Sequence, residues 1–245
     1  MPHLFATAED IRTGVLQIDQ QLMGGIRYGS LVMIEGPPNS GKSVITQYLV
    51  HFTLSRGKGQ VAYYTTEHEV RGLVHSMESL SMPCLHFLLA DAFRVYPVRM
   101  PISPREALKS LYRLEHHINN LPERFNFIVI DSVDRFVRKL NPKHKAEFFR
   151  ACKNLCEKNR TVILTATPYI FDRQSFSRAN VLSDYHLTLE LKTLRFQPEY
   201  PEDRIIRELR VHKLHGSDME SKDATLFEVK PDIGIQIIPY ALFRV

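Results

Sequence analysis

Eight consecutive residues, Gly36-Pro37-Pro38-Asn39-Ser40-Gly41-Lys42-Ser43, carry the strongest chemistry in this 245-residue chain. They fit G-x-x-x-x-G-K-[ST], the phosphate-loop or Walker A pattern, between an apolar run (LVMIE, 31–35) and an amphipathic stretch that starts at Ser43. A polyphosphate needs several backbone amides curled around one anion. Glycine at both ends of the loop permits that curl, because no Cβ obstructs it. A helix that follows aims its N-terminal dipole at the same charge. Lys42 supplies a mobile cation for the β- and γ-phosphates, and Ser43 supplies a hydroxyl ligand for Mg²⁺. All eight residues are therefore expected to line a nucleotide-phosphate site.

Two acids extend the constellation. Asp131 ends the apolar run FNFIVID (125–131) and precedes Ser132. An acid at the carboxyl end of a strand beside a phosphate loop holds Mg²⁺, usually through water. Alone, the same residue reads as a cap or turn; with the loop upstream, Lys42, Ser43 and Asp131 form one set. Glu67 closes VAYYTTE, a strand expected beside FIVID, which makes it the candidate to orient a water near the γ-phosphate. The alternative is a surface acid that caps the next helix.

The elements that must position these groups alternate. Val44, Ile45, Tyr48, Leu49 and Phe52 share one face of a helix that ends at Gly57, a left-handed cap. A strand over 60–66 and a helix over about 69–80 follow. Ser103-Pro104-Arg105-Glu106 opens a helix with Ser as N-cap and Pro in the first turn, and Ala107, Leu108, Leu111, Leu114, Ile118 and Leu121 form its buried stripe. Next come the 125–131 strand, a helix over about 143–158, the strand TVILTAT (161–167), and strands near 185–192, 205–213, 225–229 and 234–239. Buried apolar strands alternating with amphipathic helices predict an α/β fold, a mostly parallel twisted sheet covered on both faces and extended by an antiparallel C-terminal meander. No repeat, low-complexity tract or linker divides the chain, so one domain over 1–245 is expected.

Composition narrows the classes. Hydrophobic residues make up 44% and charged residues 24%, with a net charge of +5, which excludes intrinsic disorder for the bulk of the chain. No apolar run approaches the ~18–20 residues that span a bilayer; the longest, such as LHFLLA at 85–90, are strand-sized. MPHLFATAED carries no basic head before an apolar segment, so no secretory signal is expected. Three cysteines (Cys84, Cys152, Cys156) make a poor disulfide framework and indicate a reducing, cytosolic compartment. Basic residues cluster only at Arg135, Arg138, Lys139, Lys143, His144 and Lys145, which read as a solvated loop in preference to a binding patch. Cys152 and Cys156, at i and i+4, are too few for structural zinc and read as small core residues. His116-His117 reads as a solvated face, and Tyr63 and Tyr64 as packing on opposite faces of the sheet. Residues 192–204 read as a surface hairpin loop.

A resemblance enters on these residues. Ile18-Asp19-Gln20-Gln21-Leu22-Met23-Gly24-Gly25-Ile26-Arg27-Tyr28-Gly29-Ser30 resembles the L-D-x-x-L-G-G-G-I-x-x-G-S lead-in of RecA/KaiC-type ATPases, and the spacing to Gly36, the strand ending at Glu67 and IDS at 130–132 match as well. RELRVHKLHGS (207–217) resembles the K-x-R-G strand that these proteins present to a neighbouring subunit's nucleotide, which makes Lys213 and His215 candidates for action in trans. Within that superfamily the chain most resembles the archaeal flagellum (archaellum) accessory ATPases, the FlaH or ArlH family. The pieces are YYTTE with MESL, RVYPV (94–98), T-x-x-P-Y-x-F (165–171), LSDYHLTLEL (182–191) and DIGIQIIPYALFRV (232–245).

The resemblance implies a RecA/KaiC-like fold, MgATP binding and a hexameric ring at the cytoplasmic base of the archaellum motor. There it implies partnership with the secretion ATPase FlaI and regulation with weak or no hydrolysis. Three departures bear on turnover. Glu67 is followed by His68, where KaiC-type enzymes carry a second acid; His215 stands in the arginine position of K-x-R-G; and Thr167 stands where the flagellar family has histidine. An imidazole does not replace a bidentate guanidinium on a phosphate. Three functions remain open: an ATP-gated assembly subunit, a productive ring ATPase of the KaiC type, and a DNA-handling RecA relative. The last lacks a separate DNA module and a basic–aromatic pattern for strand stacking, so no nucleic acid partner is expected.

Overall fold

In a computed structural model of the chain, residues 10–99, 101–168, 181–194, 204–214 and 224–239 are described. Among them nine strands form one sheet: β1 (Leu31–Glu35), β2 (Val61–Thr65), β3 (Phe93–Pro97), β4 (Phe127–Asp131), β5 (Thr161–Ala166), β6 (Tyr185–Leu194), β7 (Arg204–Lys213), β8 (Thr225–Lys230) and β9 (Gly234–Ile237). Their spatial order is β3-β2-β4-β5-β1-β6-β7-β8-β9. The strands from β3 through β6 are parallel, and β7, β8 and β9 continue the sheet antiparallel. This is the predicted architecture, with β2 beside β4 as expected for the strands that end at Glu67 and Asp131.

The middle strands are buried along their full length, as a parallel sheet with both faces covered requires. Alternate side chains enter two separate cores. Val32, Ile34, Tyr63 and Val129 pack on one face with α2 (Lys42–Ser55) and α3 (Val70–Glu78). Leu31, Met33, Tyr64 and Ile128 pack on the other with α5 (Pro104–Asn119) and α7 (Pro142–Glu157). Tyr63 and Tyr64 thus do face opposite sides. The stripe Ala107, Leu111, Leu114 and Ile118 buries one side of α5, and each such leucine or isoleucine contributes about 1.5–3 kcal/mol. Ser103 caps α5 by accepting from the Glu106 amide, and Asn141 caps α7 in the same way from His144, with Pro142 in the first turn. Cys152 and Cys156 are core residues.

Four elements carry no decisive sequence signal. LHFLLA folds as the short helix α4 (Leu85–Leu89), because a brief apolar run satisfies helix and strand equally. The edge strand is β3, which ends at Pro97, a residue tolerated at such a boundary. A short α1 (Leu16–Gln21) and a single turn, α6 (Asp134–Val137), also went unseen. Helix α6 corrects the reading of the basic group as a solvated loop: Arg135 lies on an ordered turn and Lys145 is buried. No helix among the described residues is long and apolar enough to cross a membrane.

Candidate nucleotide site

The loop 36–41 leaves the carboxyl end of β1 and turns into α2. Gly36 has no room for a side chain: a Cβ there meets Ser40 Oγ at 2.4 Å and the Leu189 carbonyl of β6 at 2.6 Å. Asn39 and Gly41 take positive φ, 65° and 95°, which tightens the curl. Gly41 is the N-cap of α2 and no side chain caps that end, so the first amides of the helix face the loop's interior. The Ser40 hydroxyl is buried with no hydrogen-bond partner among the described residues. Lys42 folds back over the loop, its ammonium donating to the Gly36 and Pro37 carbonyls at 2.8 and 2.9 Å. Burial pulls its pKa down, and the carboxylates of Asp134, Asp131 and Glu67 partly oppose that.

Asp131 is 1% exposed and held by three hydroxyls. Tyr63 donates to Oδ2 at 2.5 Å, while Thr165 and Ser43 donate to Oδ1 at 2.6 and 3.2 Å. Ser43 and Asp131 therefore meet, as their sequence positions predict. The ends of β2 and β4 are tied together, with the Thr66 amide on the Asp131 carbonyl and the Ser132 amide on Thr66 Oγ1. This fixes Glu67 relative to Asp131.

A cavity of about 880 Å³ opens here, lined by the loop, Lys42, Ser43, Val44, Glu67, His68, Asp131, Asp134, Arg135, Thr167 and Arg207, among others. Glu67 does not cap α3; that N-cap is Glu69. It faces the cavity, its amide bonded to Thr65 Oγ1 and its carboxylate paired with Arg135 at 3.3 Å. Asp134 accepts the Thr167 amide on both carboxylate oxygens, and burial pushes its pKa up.

Lys213 does not reach this cavity. It pairs across the sheet with His186, near the start of β6, and donates to the Val181 carbonyl, whereas Arg207, six residues earlier on β7, pairs with Leu191. The two ends of β7 thus point away from each other, and a role for Lys213 requires another subunit's site. His215 and the segment Tyr169–Phe171 lie outside the described residues.

Sequence reasoning missed Tyr63 and Thr165 as holders of Asp131, Asp134 and Arg135 on α6, and Arg207. The side chain of Arg207 lies against the loop, with Cδ 3.0 Å from where a Gly41 Cβ would stand, and its Nε is buried without a hydrogen-bond partner among the described residues. Only the pairing of β7 with β6 brings it there, and no local spacing carries that signal.

The residues fit a nucleoside triphosphate with Mg²⁺. The cradle excludes any Cβ at Gly36, no side chain caps the first turn of α2, the Ser40 hydroxyl is buried without a partner among the described residues, and a hydroxyl and a carboxylate sit side by side where a hard cation requires oxygen ligands.

A family model described as "ATPase: KaiC" matches residues 11–241. The archaeal flagellar ATP-binding protein FlaH of Sulfolobus acidocaldarius is 27% identical over 236 residues, 96% of this chain and 99% of the relative. Its counterpart from Methanocaldococcus jannaschii is 23% identical over 224 residues, 90% and 91% of the two chains. The crystal structure of flagellar accessory protein FlaH from M. jannaschii superposes with a TM-score of 0.71 at 18% identity, covering 96% of this chain and 98% of that one. A KaiC-like protein from Pyrococcus horikoshii superposes with a TM-score of 0.68 at 20% identity, covering 94% and 99%.

Proposed function

This chain belongs to the KaiC family of ATPases, and from that premise we propose that it is the ATP-binding assembly and regulatory subunit of an archaellum motor. In this reading MgATP binding drives a hexameric ring at the cytoplasmic face of the motor base, peripheral to the membrane and partnered with the secretion ATPase FlaI. Hydrolysis is weak or absent. The observation that carries the nucleotide is the convergence of the Gly36–Ser43 loop, Lys42, Ser43 and buried Asp131 on one cavity. The likeness to curated FlaH proteins along nearly the whole chain supports the motor.

The loop amides and Lys42 bind and orient the triphosphate. Ser43 and Asp131 are the residues that would hold Mg²⁺, Asp131 through water. The bound ion supplies positive charge to the β- and γ-phosphate oxygens. Tyr63 and Thr165 hold Asp131 in place. Just past β2, Glu67 is followed directly by His68 in the place of an adjacent second acid, which supports slow chemistry. Lys213 and His215 act, in this reading, on a neighbouring subunit's nucleotide.

The test is the size-resolved mass of the purified chain with and without MgATP. Wild type is expected to shift to a ring with MgATP, whereas Lys42→Ala neither binds ATP nor shifts. Normal assembly by Lys42→Ala would refute nucleotide-gated assembly. One observation favours the second reading, a productive ring ATPase: Glu67 does line the cavity. Single-turnover hydrolysis near about 1 s⁻¹, the low end for enzymes, decides for it.

A further inference from the structure

The Glu67–Arg135 ion pair lies in the wall of the nucleotide cavity. Arg135 approaches Glu67 as a fork: Nη2 lies 3.3 Å from both Oε1 and Oε2, and Nε donates to Oε1 at 3.3 Å. Both partners are anchored from behind. The Glu67 amide is bonded to Thr65 Oγ1, and α6, which carries Arg135, is pinned by the buried Phe136 and Val137 and by the Asp134–Thr167 bond.

We propose that Arg135 is a positioning residue that clamps the Glu67 carboxylate, and that this clamp restrains ATP hydrolysis at the site. The inference rests on the reading that the cavity takes MgATP. In hydrolysis the water oxygen forms a bond to the γ-phosphorus, and the bond from that phosphorus to the β–γ bridging oxygen breaks. The bond's electron pair leaves on ADP, and the proton lost by water passes by way of a base to the released phosphate. The base must offer a carboxylate oxygen toward the water and enough basicity to take the proton. A forked guanidinium opposes the first of these, because it engages both carboxylate oxygens and turns them from the water. The residue directly after Glu67 is His68 and not a second acid, so the clamp acts on the carboxylate that lines the cavity.

The clamp predicts a gain of function. Arg135→Gln removes the fork and keeps a polar side chain on the same turn. Its single-turnover rate constant is expected to rise about tenfold, a fraction of what a positioned general base supplies. Its MgATP dissociation constant is expected to change by less than about threefold, as for loss of a part-exposed charge. Arg135→Lys, which keeps the charge without the fork, is expected to give a smaller rise. In Glu67→Gln/Arg135→Gln the gain vanishes.

The pair is also read without nucleotide. A double-mutant cycle on the ligand-free protein is expected to show coupling of about two- to fivefold in the unfolding equilibrium. An unchanged or lower rate in Arg135→Gln with MgATP binding intact overturns the clamp, as does a gain that survives in the double variant, or zero coupling. Absence of MgATP binding by wild type overturns the nucleotide reading itself, even where the cycle still detects the pair.

Discussion

Tyr63→Phe isolates one buried hydroxyl that holds the candidate metal-site carboxylate. Tyr63 is 0% exposed and its hydroxyl donates at 2.5 Å to Oδ2 of Asp131, itself 1% exposed. Thr165 and Ser43 serve the other oxygen, so deleting the phenol oxygen leaves Oδ2 without that donor. The ring stays, so no large cavity opens. A hydrogen bond to a charged group contributes about 1.5–3 kcal/mol. For a chain of this length each kcal/mol moves the melting temperature by about 2–4 °C, so Tyr63→Phe is expected to melt about 3–12 °C below wild type.

Burial first, then the Asp131 charge, raises the pKa of Tyr63 well above its usual value, so the phenol remains a donor across the neutral range. Tyr64→Phe is the control. That hydroxyl meets His117 Nδ1 at 2.7 Å on the opposite face, a part-buried bond without a carboxylate, and its loss costs about 0.5–1.5 kcal/mol. Calorimetry reads the stability, and titration with ATP at several Mg²⁺ concentrations reads the site. Tyr63→Phe is expected to lose part of the Mg²⁺-dependent gain in ATP affinity, and Tyr64→Phe none. A Tyr63→Phe melting temperature within about 1 °C of wild type refutes the claim that this phenol holds a buried carboxylate.

Two further outcomes follow from the loop. Gly36→Ala pushes a methyl to 2.4 Å from Ser40 Oγ and 2.6 Å from the Leu189 carbonyl; overpacking of about 1–3 kcal/mol and loss of ATP binding are expected. Gly57→Ala meets nothing within 4 Å and pays only for its left-handed backbone, about 1–2 kcal/mol, with ATP affinity unchanged; calorimetry and titration separate the two. The pKa of Lys42 lies below the ordinary lysine value, chiefly through burial. Phosphates favour the protonated ammonium, so MgATP affinity is expected to be full at neutral pH and to fall as pH rises through that lowered pKa. Ligand-free stability moves the other way, because in that window the unfolded chain binds more protons than the folded one. Titration calorimetry up the alkaline range checks this, and Lys42→Arg, whose guanidinium does not titrate there, should show no such fall.

The Gly36–Ser43 loop, Asp131 and the strand–helix alternation were legible because each rests on local chemistry. Glycine spacing, an apolar run that ends in an acid, and a Ser-Pro-x-Glu helix start act within a few residues of one another. Hydrophobic period also separated the two faces of the sheet, down to Tyr63 and Tyr64 on opposite sides. LHFLLA has no decisive period as a short apolar segment, and the single turn of α6 has too few residues to show one. The rest depended on strands distant in sequence lying side by side. The β2–β4 pairing joins the Tyr63 hydroxyl to Asp131, and the α6 turn sets Arg135 against Glu67. The β6–β7 register carries Arg207 to the phosphate loop and leaves Lys213 at the opposite end of its strand. Residue types and short spacings determine which groups are able to act on a triphosphate. Which of them face one another is decided by sheet order and register, set by the packing of whole elements over two cores.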